Sequence, residues 1–225
     1  GYAEYVINDE WTPLPVPDDV SDEAAALCEP CAIAVHTTRL SGIKIGDVVA
    51  VLGAGPIGFF CAQVAKAAGA STVIVSEPVA ARAKAVASAG ADIVVDPTTE
   101  DFASVVLEAS NGLGADVILD CAGARPTLNQ ALNAVRREGS VVLVAVVWEE
   151  IPLVPVDWMG REVHLHTAFG SLPRDWEIAL DLLRSGKVVV EPILSPEQVI
   201  PLDDIQRAFE SLTTPTTQLQ VVVKP

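Results

Sequence analysis

Positive charge is scarce in this sequence: 14 Lys and Arg stand against 30 Asp and Glu, a formal net charge of −16 over 225 residues. Such a surface repels polyanions, which excludes nucleic acid and an anionic membrane surface as expected partners. Long apolar runs are missing as well. The richest, VVLVAVVW at 141–148, stops far short of the roughly 20 residues a membrane-spanning helix needs. Cysteine is sparse, four residues without the dense spacing of small secreted scaffolds, so no disulfide framework is expected and a reducing, cytoplasmic setting fits best. The first residues, GYAEYVIN, hold neither an initiator Met nor the charged-then-apolar pattern of a signal peptide. They read as the middle of a strand, which predicts that the chain is a fragment.

Half of the residues are hydrophobic, a fifth are charged, and the mean hydropathy is +0.40. That is globular composition with an apolar excess, as on a surface meant to be covered. The length fits one main domain with appendages. Pro13, Pro15 and Pro17 favour an extended connector. Ser21, followed by Asp22 and Glu23, supplies an N-cap and first-turn acids for a short helix to about Cys28. Pro30 is expected to interrupt it before a second helix over 31–40.

From Gly46 onward, short β-branched runs alternate with helix-length segments. Strands are expected at 48–52, 72–76, 92–96, 116–120, 140–146 and 163–169, with helices at 57–68, 80–89, 102–111 and 126–135. Runs that are apolar throughout belong to strands buried on both faces, which requires helices on both sides of a parallel sheet. Gly69, Gly90, Gly112, Gly114 and Gly139 fall where helices need a left-handed stop. The expected fold is α/β, a doubly wound parallel six-stranded Rossmann sheet. Helices at 175–185 and 201–212 follow. A last apolar strand at 219–223 has no evident partner, and with the opening strand it predicts a second module.

GAGPIG at 53–58 matches G-x-G-x-x-G, follows a buried strand and opens a helix. Gly53 permits the tight turn, Gly55 lets backbone approach a pyrophosphate, and Gly58 lets helix pack on strand. The helix start, with Pro56 and Ile57, offers N–H groups and a positive dipole to phosphates. Glu77 lies 19 residues after Gly58, and Val48 to Ser76 spans 29 residues, close to the ~30 of a dinucleotide-binding βαβ unit. There a carboxylate can accept both hydroxyls of an adenosine ribose, favouring NAD over NADP, although Arg82 could offset its charge against a 2′-phosphate. A solvated strand end is the other reading of Glu77.

LCEPC at 27–31 sets Cys28 and Cys31 in a Cys-x-Pro-Cys spacing. A redox pair would need its first thiol at an exposed helix start. Cys28 instead ends an apolar stretch, and all four cysteines, with Cys61 and Cys121, read as small buried hydrophobes. His36 reads as a structural histidine. His164 and His166 share one strand face without a third ligand, and Trp148, Trp158 and Trp176 read as core or interface.

The segments GYAEYV, LCEPCAIAVHTTRLSGIKIGDVVAVLGAGPIG, VIVSEP with Arg82, ADVILDCAG, VAVVWEE and LQVVVKP together resemble the zinc-dependent medium-chain alcohol and polyol dehydrogenases. They are most similar to the branch of 2,3-butanediol, threonine and sorbitol dehydrogenases. The resemblance implies a GroES-like β domain split around the cofactor domain. Remnants of it would lie at 1–30 and 191–225, flanking a Rossmann domain at 31–190. It implies NAD as cofactor and a catalytic zinc, most of whose ligands would belong to a missing amino-terminal part. In this chain Glu29 would face that zinc, with Pro30 bending the chain to aim it. Val144, Ala145 and Val146, with Phe169, Gly170 and Ser171, would line the nicotinamide end. The implied reaction is oxidation of a secondary alcohol, diol or polyol, the isolated chain only binding NAD(H). A homodimer or homotetramer would form through the late strands. A zinc-free quinone or enoyl reductase on the same fold, and a non-catalytic dinucleotide-binding module, stay open as alternatives.

Overall fold

The structure is a computed structural model that describes residues 2–213 and 219–225. Six parallel strands form the central sheet: β1 (Val48–Leu52), β2 (Thr72–Ser76), β3 (Ile93–Val95), β4 (Ala115–Asp120), β5 (Val135–Leu143) and β6 (His164–Thr167). Their order is β3-β2-β1-β4-β5-β6. The winding reverses between β1 and β4, the place where open α/β sheets form a crevice beyond their carboxyl ends.

Alternation along each strand builds the two halves of the core. Val49, Val51, Val73, Val75, Val117 and Leu119 face one side, packing with helices α2 (Cys28–Ser41), α3 (Pro56–Ala67), α4 (Ala80–Ser88) and α8 (Pro173–Arg184). Ala50, Leu52, Ile74 and Ile118 face the other, against α5 (Phe102–Ala109) and α6 (Thr127–Ala134). Phe59 and Phe60 of α3 are wholly buried with ring centroids 5.4 Å apart, edge to face. Each such burial contributes about 2 kcal/mol, so α3 is pinned under the sheet. Helices α1 (Asp22–Ala26), α7 (Pro155–Met159) and α9 (Ile205–Leu212) contribute no fully buried residue, although Ala24 and Trp158 pack against the core. No described helix is long and apolar enough to cross a membrane.

Several expectations change. Pro30 does not interrupt a helix: it sits in the first turn of α2, where its missing N–H is not needed, and the break falls at Leu27. No strand forms over 2–20; Gly1, the first residue of GYAEYVIN, lies outside the described residues. The last strand does find a partner: β8 (Val222–Lys224) pairs in parallel with β7 (Val199–Pro201). Strand β5 starts at Val135 and stops at Leu143, so Val144–Val146 lie in a loop. Gly139 is therefore strand rather than helix stop, and the left-handed residue is Glu138, φ 57. A Cβ on Gly139 would stand 2.6 Å from Val135 Cγ2, so close packing requires glycine there.

Candidate functional site

The three glycines of GAGPIG divide by what surrounds them. Gly53 turns the chain off β1 with φ +87, its N–H donating to Ser76 O at 2.8 Å. A Cβ on Gly58 would lie 1.9 Å from Gly53 O, so the first turn of α3 rests directly on the strand end. Gly55 is different. It is the N-cap of α3, extended at φ −63 and ψ 179 with no side-chain cap, and a Cβ there would meet nothing within 4 Å. Pro56 follows at the first helical position. The N–H groups of the next residues lack intrahelical partners and carry the positive end of the helix dipole, an anion-binding arrangement with open space before it.

Glu77 directly follows β2 and is only 3% exposed, which overturns its reading as a solvated strand end. One carboxylate oxygen accepts from Ala54 N–H at 2.7 Å and the other from Val79 N–H at 2.8 Å. A carboxylate offers about four acceptor positions, so each oxygen can still take a hydroxyl. Arg82 lies beside it with its Nε buried and without a partner. Glu77, Arg82, Gly53, Gly55, Thr127 and Gln130 line a cleft of about 440 Å³. Asp120, passed over in the sequence, ends β4 and bears on the cleft through Thr127, one of its lining residues. It is 1% exposed and accepts from the Ala122 and Gly123 N–H groups, both at 3.2 Å, and from Thr127 Oγ1 at 2.9 Å. Burial pushes its carboxyl above the usual range despite these donors. Its position matched that of Glu77, an acid ending a buried apolar run, and that was the available signal.

Val144–Val146 and Phe169–Ser171 follow the carboxyl ends of β5 and β6, on the same edge of the sheet. Val144 and Ala145 both donate their N–H to Asp120 O at 3.0 Å, so those two donors are already engaged. Phe169 is 90% exposed. Beyond it, Asp175 is fully buried, and sequence reasoning missed it. Its Oδ2 accepts from Leu172 N–H and lies 2.8 Å from His36 Nδ1, while Oδ1 pairs with Arg39. Burial pushes this carboxyl upward, but the Leu172 N–H, Arg39 and His36 outweigh it and hold it below the usual range. His36 is thus a partnered, structural side chain.

Metal chemistry finds less support. Glu29 is the exposed second residue of α2, in helical conformation, not on a bend aimed by Pro30. Its neighbours Cys28 and Cys31 are buried, Cys28 with its thiol 3.7 Å from Trp176 O. Burial pushes the Cys28 thiol up to about 11, and that of Cys31 higher still. The Cys121 thiol is raised by a hydrogen bond with Cys61 and by burial. Cys28, Cys31 and Cys61 are buried packing thiols, as expected, whereas Cys121 is only partly buried and lines the cleft. The rings of His164 and His166 stack at 6.3 Å on β6. Among the described residues no group of three or more His, Cys, Asp or Glu could hold a metal ion. These residues alone do not fit a zinc centre, which needs four donors.

A reversal of strand order, a glycine turn opening onto a free helix start and an acid directly after the next strand define a dinucleotide-binding type of α/β protein. Residues 56–185 match the zinc-binding dehydrogenase family. The chain belongs to that family. It is 32% identical over 213 residues to D-arabitol-phosphate dehydrogenase of Enterococcus avium, covering 93% of this chain and 60% of the relative. With (R,R)-butanediol dehydrogenase of Bacillus subtilis it shares 33% identity over 229 residues, covering 100% of this chain and 64% of the relative. A crystal structure from Sinorhizobium meliloti 1021, described as that of a zinc-binding dehydrogenase bound to NADP, superimposes with a TM-score of 0.88 at 32% identity. That match covers 99% of this chain and 65% of the other. The chain spans about three fifths of the length of the curated relatives it matches.

Proposed function

We propose that this chain binds a nicotinamide dinucleotide along the carboxyl edge of its sheet and that the protein oxidises a secondary alcohol, diol or polyol by hydride transfer. The contrast between Gly58, closed against the strand, and Gly55, open to a cleft, carries this reading. The pyrophosphate lies over Gly55, Pro56 and Ile57, where the helix start stabilises its charge. Glu77, pre-oriented by Ala54 and Val79, takes the adenosine-ribose hydroxyls. Its charge disfavours a 2′-phosphate, and Arg82 with its unpartnered Nε moderates that, so NAD is preferred and NADP accepted more weakly. Val144–Val146 and Phe169–Ser171 bound the nicotinamide half from the β5 and β6 side. The nicotinamide supplies the hydride acceptor, and this chain holds it in place and excludes water around it.

The names of the relatives support a polyol or diol substrate. Glu29 is the one residue here that the family resemblance assigns to a metal, and a single carboxylate makes no zinc site, so no step is assigned to it. The 225 residues as they stand therefore bind NAD(H) without turning over an alcohol. Association of copies through β6, an edge strand with unpaired backbone groups and exposed Leu165, completes the proposal. Titration of the chain with NADH, followed by nicotinamide fluorescence, tests the reading alongside a turnover assay with NAD and 2,3-butanediol. Saturable binding without turnover is expected. Absence of NADH binding, or saturable binding of S-adenosylmethionine in its place, would refute the dinucleotide reading, and robust turnover would refute the division of labour.

A further inference from the structure

An acid in the first turn of a helix normally stays at the surface, where it complements the dipole at little desolvation cost. Asp175, in the first turn of α8, is 0% exposed. Burying it serves more than capping. Its backbone N–H donates to Leu172 O at 2.8 Å while its carboxylate accepts from Leu172 N–H at 2.8 Å, so Leu172 is clamped twice. The same carboxylate is gripped from α2 by His36 and Arg39, more than 130 residues away in sequence. At the other end, Ala168 N–H donates to Leu143 O at 3.0 Å. The backbone of Phe169, Gly170 and Ser171 is thus suspended between two fixed points at the carboxyl edge of β6. Gly170 takes φ +67, and Phe169 projects into solvent.

We propose that Asp175, locked by His36 and Arg39, is the positioning residue for the nicotinamide half of the dinucleotide. Through Leu172 it presets the 169–171 backbone against which the nicotinamide-ribose end lies. This rests on the dinucleotide reading above. Because Asp175 touches only protein, its effect reaches the ligand through pre-organisation, which removes the cost of ordering that loop on binding.

The experiment compares NADH with ADP-ribose, which lacks the nicotinamide half, on the full chain. For D175A, NADH affinity is expected to fall about tenfold while ADP-ribose affinity changes by less than about twofold, a loop-ordering cost confined to one end of the ligand. The blue shift and enhancement of bound NADH fluorescence should shrink in parallel. R39Q leaves the carboxylate in place and alters a side chain that is 41% exposed. It should show the same selective loss at about threefold, as expected for removing one charge-assisted hydrogen bond from a shared acceptor. Equal weakening of both ligands in R39Q, or unchanged NADH binding in D175A, would overturn the proposal. If D175A proves unstable, R39Q alone decides it. Failure of the unaltered chain to bind either ligand would refute the dinucleotide reading itself.

Discussion

Gly55 and Gly58 occupy the same loop, yet alanine at each should do opposite things. At Gly58 the new methyl would stand 1.9 Å from Gly53 O and 3.3 Å from Cys121 Cβ. The Gly53 backbone, which cannot rotate away, forms the clash, so α3 must lift off the end of β1, with its buried Phe59 and Phe60 following. Overpacking of this kind costs about 3 kcal/mol. With a urea dependence of about 2 kcal/mol per molar, the midpoint of unfolding should fall by about 1.5 M. At Gly55 the methyl enters open space, at a φ of −63 that any residue adopts. Alanine is a poorer N-cap, but it also reduces the freedom of the unfolded chain, and the two nearly cancel to within about 0.5 kcal/mol. That methyl nevertheless fills the approach to the helix start, so NADH affinity should drop at least about tenfold, or about 1.4 kcal/mol. Urea denaturation and NADH titration of both variants give the test. Loss of stability in Gly55→Ala comparable to that in Gly58→Ala would refute the reasoning, as would Gly55→Ala binding NADH like the unaltered protein.

Three further outcomes follow from the same geometry. Glu77→Ala orphans the Ala54 and Val79 N–H groups, so it should lower stability by about 2 kcal/mol and also abolish NADH binding, as read by urea midpoints and fluorescence. With its pKa near 11, Cys28 should be only about 0.1% thiolate at pH 8, and a thiol reagent should leave it unmodified in the native protein and label it rapidly in urea. Asp175 has its folded pKa depressed, so its contribution to stability is full above the ordinary carboxylate value of about 3.9 and is lost as pH falls through the depressed one. The gap in urea midpoint between the unaltered protein and Asp175→Asn should be wide at about pH 6 and should narrow progressively as pH falls below about 3.9.

The central strands were legible because β1, β2 and β4 are short apolar runs that only a doubly covered sheet accommodates. The start of β5 was not, since Arg136, Arg137 and Glu138 look like a polar connection. They sit in the strand because Arg136 pairs with Asp116 at 2.6 Å, at the register shift against β4, while Arg137 pairs with Glu162 just before β6 on the other side. Pro30 misled because its effect depends on distance from the helix start, which the break at Leu27 sets. Residues 2–6 of the strand-like GYAEYV form no strand because pairing needs a neighbour, which local pattern cannot supply. The loop glycines and Glu77 were readable from spacing alone. Asp175 was not, because its burial is set by His36 and Arg39 on a helix that the fold, and not the local sequence, brings beside it.

Amide hydrogen exchange with and without saturating NADH tests the central claim most directly. A dinucleotide along the carboxyl edge should slow exchange at 53–60, 77–82 and 121–124 around the cleft that takes the adenosine half, and at 144–146 and 169–172 on the nicotinamide side. Protection confined to the separate groove lined by Trp11, Leu14, Trp176 and Leu180, or no protection at Gly55–Gly58, would contradict it.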